Sequence, residues 1–277
     1  MNKNQSWTGE RLESFVFHDI TIEHLHRYAL AKEFVQGKNV LDIACGEGYG
    51  SNLLAETAEM VKGVDIDEST ITKAKNKYGR KNLSFVTGSV EKIPFDASSF
   101  DVVTSFETLE HISAHDTMLT EIKRVLRPGG VLLISTPDKK TYSDKPRYSN
   151  PFHKKELSEQ EFKLLLKKYF HYQDFYLQNI YTASILSNNA PGIPTIYDGD
   201  FNGIKKISQP APVYFVAVCS DEEVILPSTS LFIANGTMET ALNQKEQEIR
   251  STLSYKLGNG ILYPAKLLRR LFRKPAN

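Results

Sequence analysis

The sequence predicts an α/β protein built on a doubly wound, seven-stranded and mostly parallel sheet. Three observations lead there. The stretch from Val40 to Gly50, VLDIACGEGYG, passes from apolar strand residues into a turn with glycine at 46, 48 and 50. It then takes on helical periodicity over Tyr49, Leu53, Leu54 and Ala58. Short apolar runs recur at 61–67, 83–87, 100–106 and 131–135 with helix-patterned segments among them, the alternation that a parallel sheet requires. Asp65 closes the second run nineteen positions after Gly46, where such sheets place an acid for ribose hydroxyls.

Composition narrows the classes. A chain of 277 residues buries a proper core and suits one α/β domain with an appendage. Lys and Arg number 34 against 33 Asp and Glu, a net charge of +1, so a globally basic nucleic-acid binder is excluded and no nucleic-acid partner is expected. The two cysteines, Cys45 and Cys219, lie far apart in strand-like contexts, which argues against a disulfide framework and for a reducing, cytoplasmic setting. The opening MNKNQSWTGE has no apolar signal region, and no stretch reaches the ~18 apolar residues of a membrane span. A soluble protein is expected.

Three regions are expected along the chain. Residues 1–36 carry TGER and then a helical pattern with Ile22, Leu25, Tyr28, Ala29, Ala31 and Phe34 as its apolar face, beside His24 and His26. Residues 37–223 hold the sheet. Within them Asp116–Leu126 is an amphipathic helix stopped by Arg127-Pro-Gly-Gly130, and a second helix runs from Ser158 to Tyr169. Phe170–Ile180 and Val213–Cys219 supply the last two strands, and Tyr181–Pro212 between them shows no periodicity and reads as a flap or a surface excursion. Residues 224–277 are a helical extension ending in the basic amphipathic segment 261–274, ILYPAKLLRRLFRK, which suits an anionic membrane surface, a partner, or its own domain.

The chemistry collects at two places. The Rossmann-like glycine turn favours a nucleotide-like ligand, but Ser51 stands where the dinucleotide fingerprint wants Gly or Ala, so NAD fits poorly. Asp42, inside the strand, would repel a pyrophosphate and suits a cationic amino-acid group instead. The segment Glu107-Thr-Leu-Glu110-His111 follows the fourth strand, at the sheet edge where ligands bind. As a helix it would put 107, 110 and 111 on one face, as either a divalent-metal site or an acid–base cluster.

The D-x-x-x-G-x-G-x-G arrangement resembles motif I of the class I S-adenosylmethionine (SAM)-dependent methyltransferases, of the methyltransferase domain 11/23 kind. GVD at 63–65 and VLRPGGVLLIS at 125–135 extend the likeness over about residues 38–137. It implies SAM as cofactor, with Asp42, Ala44, Gly46 and Gly48 at the loop and Asp65 on the ribose. Ile66 then lies beside the adenine, Ser89 and Val90 at the adenine end, and Glu107 near the methionine end. Ser89 departs from the Asp that many relatives have there. The E-x-x-E-H spelling looks like that of small-RNA 3′-terminal and ubiquinone-pathway O-methyltransferases, which implies Mg2+ or Mn2+ on Glu107, Glu110 and His111, with His153 as a further ligand. The same spelling also occurs in metal-free relatives. Glu107, His111 and His153 are the candidates for the base that activates an acceptor hydroxyl.

In class I methyltransferases an N-terminal helix often closes over the cofactor, and residues 1–36 look like such a lid. TGER, HLHRYA and NPFHKKEL resemble phrases of bacterial surface-glycan methyltransferases, which implies a sugar or glycan acceptor, and the tail 261–274 resembles those of surface-polysaccharide assembly proteins, which implies work at the inner membrane face. A quinone-like acceptor and a non-catalytic scaffold that keeps the fold are the alternatives.

Overall fold

The structure is a computed structural model that describes residues 19–186, 195–234, 236, 243, 246–247 and 249–257. TGER and the basic segment 261–274 therefore lie outside the described residues. By compactness the chain divides after Phe232: residues 19–232 belong to the first unit and the described residues beyond to the second, in which Arg250 and Glu246 pair at 2.6 Å.

In the first unit the helices are α1 (Asp19–Val35), α2 (Tyr49–Leu54), α3 (Glu68–Lys77), α4 (His115–Val125) and α5 (Glu159–Lys167). The strands are β1 (Asn39–Ile43), β2 (Met60–Asp65), β3 (Leu83–Thr87), β4 (Phe100–Ser105), β5 (Leu126–Pro137), β6 (Tyr172–Gln178), β7 (Ile196–Asp200), β8 (Gly203–Ile207) and β9 (Tyr214–Ser220). Seven of them form one sheet in the order β3-β2-β1-β4-β5-β9-β6. The first five are parallel, and β9 runs antiparallel between β5 and β6. This is the doubly wound, mostly parallel sheet that the sequence predicts.

Strand alternation decides which layer each residue feeds. Leu41 and Ile43 of β1, Val103 of β4, Leu132 and Ile134 of β5 and Phe215 and Ala217 of β9 pack with Met118, Leu119 and Ile122 of α4 and Phe162 of α5. Their neighbours Val40, Val102, Leu133 and Val216 point the other way, onto Leu30, Ala31 and Val35 of α1 and Leu54 of α2. Ser158 caps α5 through a reciprocal bond with Glu161, which sharpens its start.

Three expectations change. The buried side of α1 is not the predicted apolar stripe: Ala29 is exposed and Ile22, Leu25 and Phe34 are half-buried, while Glu23 and Arg27 are buried with Tyr28, Leu30, Ala31 and Val35. Polar residues are drawn in because the first half of α1 meets the carboxyl edge of the sheet, where Glu107 and Gln178 pair with Arg27. α2 stops at Leu54, so Ala58 is buried from the turn beyond it. Finally, 181–212 contains a two-stranded antiparallel pair, β7–β8, with Phe201 and Asn202 at its turn. The long loop after β5 also holds one π-helical turn, Lys140–Asp144.

Candidate active site

The loop from β1 to α2 is wound by alternate left-handed residues: Ala44, Gly46 and Gly48 have φ of 60°, 53° and 84°. At Gly48 the conformation and the space both demand glycine, since a Cβ would come within 2.6 Å of the Phe85 ring. At Gly50 space alone decides, for a Cβ there would lie 1.8 Å from Tyr28 Cζ. Asp65, buried at the end of β2, ties this loop down by accepting from the Gly46 N–H at 2.9 Å and from the Asp67 N–H at 3.0 Å. Asp67 itself caps α3, accepting from the Ser69 and Thr70 N–H groups. Ile66 stands out from the rim, 69% exposed. Ser89 accepts from the Glu91 N–H at 3.1 Å, and Val90 leans half-buried on the core.

Asp42 lies underneath. It is 1% exposed and accepts from the hydroxyls of Ser51 at 2.6 Å, Thr104 at 2.8 Å and Tyr28 at 3.2 Å. Burial pushes its carboxyl up to about 6, and the three hydroxyls hold it down against that. Three donors from α2, β4 and α1 thus converge on one carboxylate beneath the glycine loop.

At the exit of β4 the backbone departs from the predicted helix. Glu107 takes φ of 52°, and only Leu109–His111 form a helical turn, of the tight 3₁₀ kind. A left-handed residue cannot begin a right-handed helix, so Glu107 does not share a face with 110 and 111. Its amide donates to Ser135 Oγ at 3.1 Å, its carboxylate accepts from the same hydroxyl at 2.6 Å, and Arg27 Nη1 lies 3.2 Å away. Arg27 is 1% exposed. Its Nε donates to Gln178 at 2.7 Å and its guanidinium lies over the Tyr214 ring at 4.5 Å. Gln178 in turn donates to the backbone of Glu23, whose own carboxyl burial pushes up to about 7.

Glu110 is buried, within 3.4 Å of the Thr136 hydroxyl that donates to it, and burial together with the charge of Glu107 raises its carboxyl well above the usual range. Its backbone carbonyl accepts from the Lys154 and Lys155 amides, which brings the 150–155 turn alongside. That turn carries His153, whose ring meets the His111 ring edge-on at 5.0 Å. His111 Nδ1 faces the carbonyl of Phe152 at 3.0 Å. A carbonyl only accepts, so Nδ1 carries the hydrogen and the lone pair sits on Nε2. His153 Nδ1 likewise faces Glu156 at 2.6 Å, leaving Nε2 as its acceptor nitrogen, to which Asn150 donates. Ligand atoms of Glu110, His111 and His153 all fall within 4.8 Å of one another. Of the four predicted metal ligands the structure gathers these three, and Glu107 is drawn away by Arg27 and Ser135.

Several participants escaped the sequence reading. Arg27, Gln178 and Tyr214 come from α1, β6 and β9 and carry no motif. Glu156 had a local signal, standing three residues after His153.

Residues 41–134 match the family model described as a methyltransferase domain. A protein of Mycolicibacterium smegmatis described as a "probable S-adenosylmethionine-dependent methyltransferase" is 38% identical over 172 residues, covering 58% of this chain and 63% of that one. A fatty-acid O-methyltransferase of the same organism is 30% identical over 161 residues, 54% of this chain and 56% of its own length. A ubiquinone biosynthesis O-methyltransferase of Coxiella burnetii is 38% identical over 104 residues, 37% and 44% of the two chains. The chain therefore spans less than two thirds of the length of these relatives. Among solved structures, a SAM-dependent methyltransferase of Thermotoga maritima superposes with a TM-score of 0.53 at 18% identity over 73% of this chain and 93% of its own. The YcgJ protein of Bacillus subtilis gives 0.52 at 19% over 72% and 100%. The fold is that of the class I methyltransferases.

Proposed function

We propose that the protein is a SAM-dependent O-methyltransferase. The observation that carries this reading is the pairing of Asp65 with the Gly46 amide, which holds a left-handed glycine loop open at the same sheet edge that presents Glu107, Glu110 and His111. Asp65, at the end of β2, suits two ribose hydroxyls. Exposed Ile66 suits an adenine face, and Ser89 and Val90 close that end. Asp42, covered by three hydroxyls, acts from below by fixing the loop.

When bound, SAM supplies an electrophilic methyl group. The chain's part is to position and deprotonate an acceptor hydroxyl, because a neutral hydroxyl is a poor nucleophile. His111 presents the Nε2 lone pair, with its Nδ1–H held by Phe152, and so takes the hydroxyl proton as the oxygen gains the methyl. His153, oriented by Glu156, becomes a second acceptor for that proton when the Asn150 amide that donates to its Nε2 turns away. Glu107 is a carboxylate kept beside Arg27 and faces the methionine end.

A second reading concerns a cation and rests on the convergence of Glu110, His111 and His153. Two imidazoles whose other ring nitrogens are already bonded, with one carboxylate, form a donor set that suits Mn2+ better than Mg2+. Those groups would hold the ion, which would make the acceptor hydroxyl more acidic.

For the acceptor we propose a sugar hydroxyl of a bacterial surface glycan or of its lipid-linked precursor, a reading supported by the TGER, HLHRYA and NPFHKKEL likenesses. A small lipid-soluble acceptor is the alternative, supported by the fatty-acid and ubiquinone names among the relatives. Calorimetric titration with SAM and with S-adenosylhomocysteine, with and without Mn2+, tests the core of the proposal. Micromolar binding is expected, and absence of binding to either nucleoside would overturn it. Methyl transfer from labelled SAM into glycan against lipid extracts then separates the acceptors.

A further inference from the structure

The β7–β8 pair sorts its side chains by charge. Its register sets Tyr197 opposite Lys206 and Gly199 opposite Ile204, so these four share one face. Ile196 stands opposite Ile207, Asp198 opposite Lys205 and Asp200 opposite Gly203, on the other face. Both acids of the pair are therefore on the second face, where Asp198 and Lys205 approach to 3.8 Å and Ile196 and Ile207 are half-buried. The first face leaves Tyr197 66% and Ile204 78% exposed beside an exposed Lys206, with no acid among them. At the turn Phe201 is fully exposed.

A two-stranded ribbon gains little stability in water from such a face, since its aromatic and aliphatic groups bury nothing there. We propose that this face, with Phe201 leading, seats on an anionic lipid bilayer surface. Phe201 and Ile204 enter the boundary between headgroups and acyl chains. Tyr197 sits at headgroup level, where its amphipathic ring is favoured, and Lys206 meets lipid phosphate. The charge pattern selects this occupant. The same face on a second copy offers Lys206 no acid to pair with, whereas an anionic leaflet meets a cation that no acid on its face offsets.

Neither SAM nor a methyl acceptor enters this inference, so its test stands apart from that of the enzymatic reading. The full chain is sedimented with vesicles of phosphatidylcholine and phosphatidylglycerol, and with vesicles of phosphatidylcholine alone. Wild-type protein is expected to pellet with the mixed vesicles. The combined change Tyr197→Ser, Phe201→Ser and Ile204→Ser should weaken that partition by about tenfold or more, the order of the apolar burial it removes. Lys206→Glu should weaken binding to the mixed vesicles and leave the neutral ones unaffected. Phe201→Trp gives a direct reading: its emission, less that of the wild type with its single Trp7, should shift to the blue on the mixed vesicles. The proposal is overturned if wild type stays in solution, if the triple variant pellets as well as wild type, or if the difference emission of Phe201→Trp does not move. Concentration-dependent self-association without vesicles that the triple variant abolishes would assign the face to a second copy and overturn it equally.

Discussion

The guanidinium of Arg27 lies 3.2 Å from the carboxylate of Glu107, and the two are brought together from α1 and from the exit of β4. Arg27 is buried and has Gln178 and Tyr214 as its further partners, so the pair is screened only on the Glu107 side, whose side chain is 16% exposed. Removing one member of a buried pair strands the other. Arg27→Met should therefore cost about 3 kcal/mol in urea unfolding, and adding Glu107→Gln to it should restore part of the loss rather than add a second one. Arg27→Lys keeps the charge but neither the fork to Gln178 nor the plane over Tyr214, and should fall between.

Glu23 gives the fold a pH dependence of opposite sign to the usual acid. Burial raises its folded carboxyl from 4.5 to about 7, so the native state holds the proton more tightly than the unfolded chain does. Its contribution is thus complete below pH 4.5 and is lost as pH rises towards 7. Asp42, raised from 3.8 to about 6, acts in the same direction over a lower window. Glu23→Gln should remove part of the decline, stabilising the protein at pH 8 relative to wild type by about 2 kcal/mol and changing little at pH 4. Urea midpoints of both proteins across that range measure it. Identical slopes would show that Glu23 is ionised without penalty.

The extent to which these features can be read from the chain follows from how local their causes are. The strand, glycine turn and Asp65 are written within residues 40–65, because turn conformation and strand period are properties of neighbouring residues. Two apolar runs announce the strands beyond β5, but the insertion of β9 between β5 and β6 is a matter of pairing that they do not carry. Arg27 is different: in a helical pattern a lone arginine reads as solvated, and what buries it, Gln178 and Tyr214, stands more than a hundred and fifty residues away. Glu107 misleads for the complementary reason. Its spacing to Glu110 and His111 fits a helix, but it takes the left-handed conformation that breaks one, and its contacts there, Ser135 and Arg27, come from distant parts of the chain. The β7–β8 pair turns on Phe201-Asn202, so the Asn202-Gly203 dipeptide, read as a two-residue turn, would have set its register one residue off.

Tyr28 and Gly50 are coupled by space. The Tyr28 ring occupies the volume a Cβ at 50 would need, and its hydroxyl reaches Asp42 at 3.2 Å. Gly50→Ala must push the ring off that carboxylate. A loss of about 2 kcal/mol is expected, with weaker SAM binding. In a Tyr28→Ala background the same change no longer meets the ring and should cost much less than it does in wild type. Denaturation of the four proteins of this cycle reads the coupling, and simple additivity would mean the loop yields in some other way.

Glu156 separates a positioning role from a structural one at His153. Its carboxylate accepts from His153 Nδ1 at 2.6 Å and from the Ser143 hydroxyl at 2.8 Å, and so fixes both the tautomer and the ring that stands against His111. Glu156→Gln can keep a bond to Nδ1 through its amide oxygen but cannot stabilise a protonated ring as a carboxylate does. Turnover should fall about tenfold to a hundredfold while SAM affinity holds, because no group of the glycine loop or Asp65 is touched. His153→Ala should fall at least as far, and the double variant no further than His153→Ala alone, since the two residues act through one ring. Steady-state rates with SAM titrations on the three proteins decide it. Parallel loss of SAM binding in Glu156→Gln would mean that the 150–156 turn supports the fold of the site rather than the proton transfer.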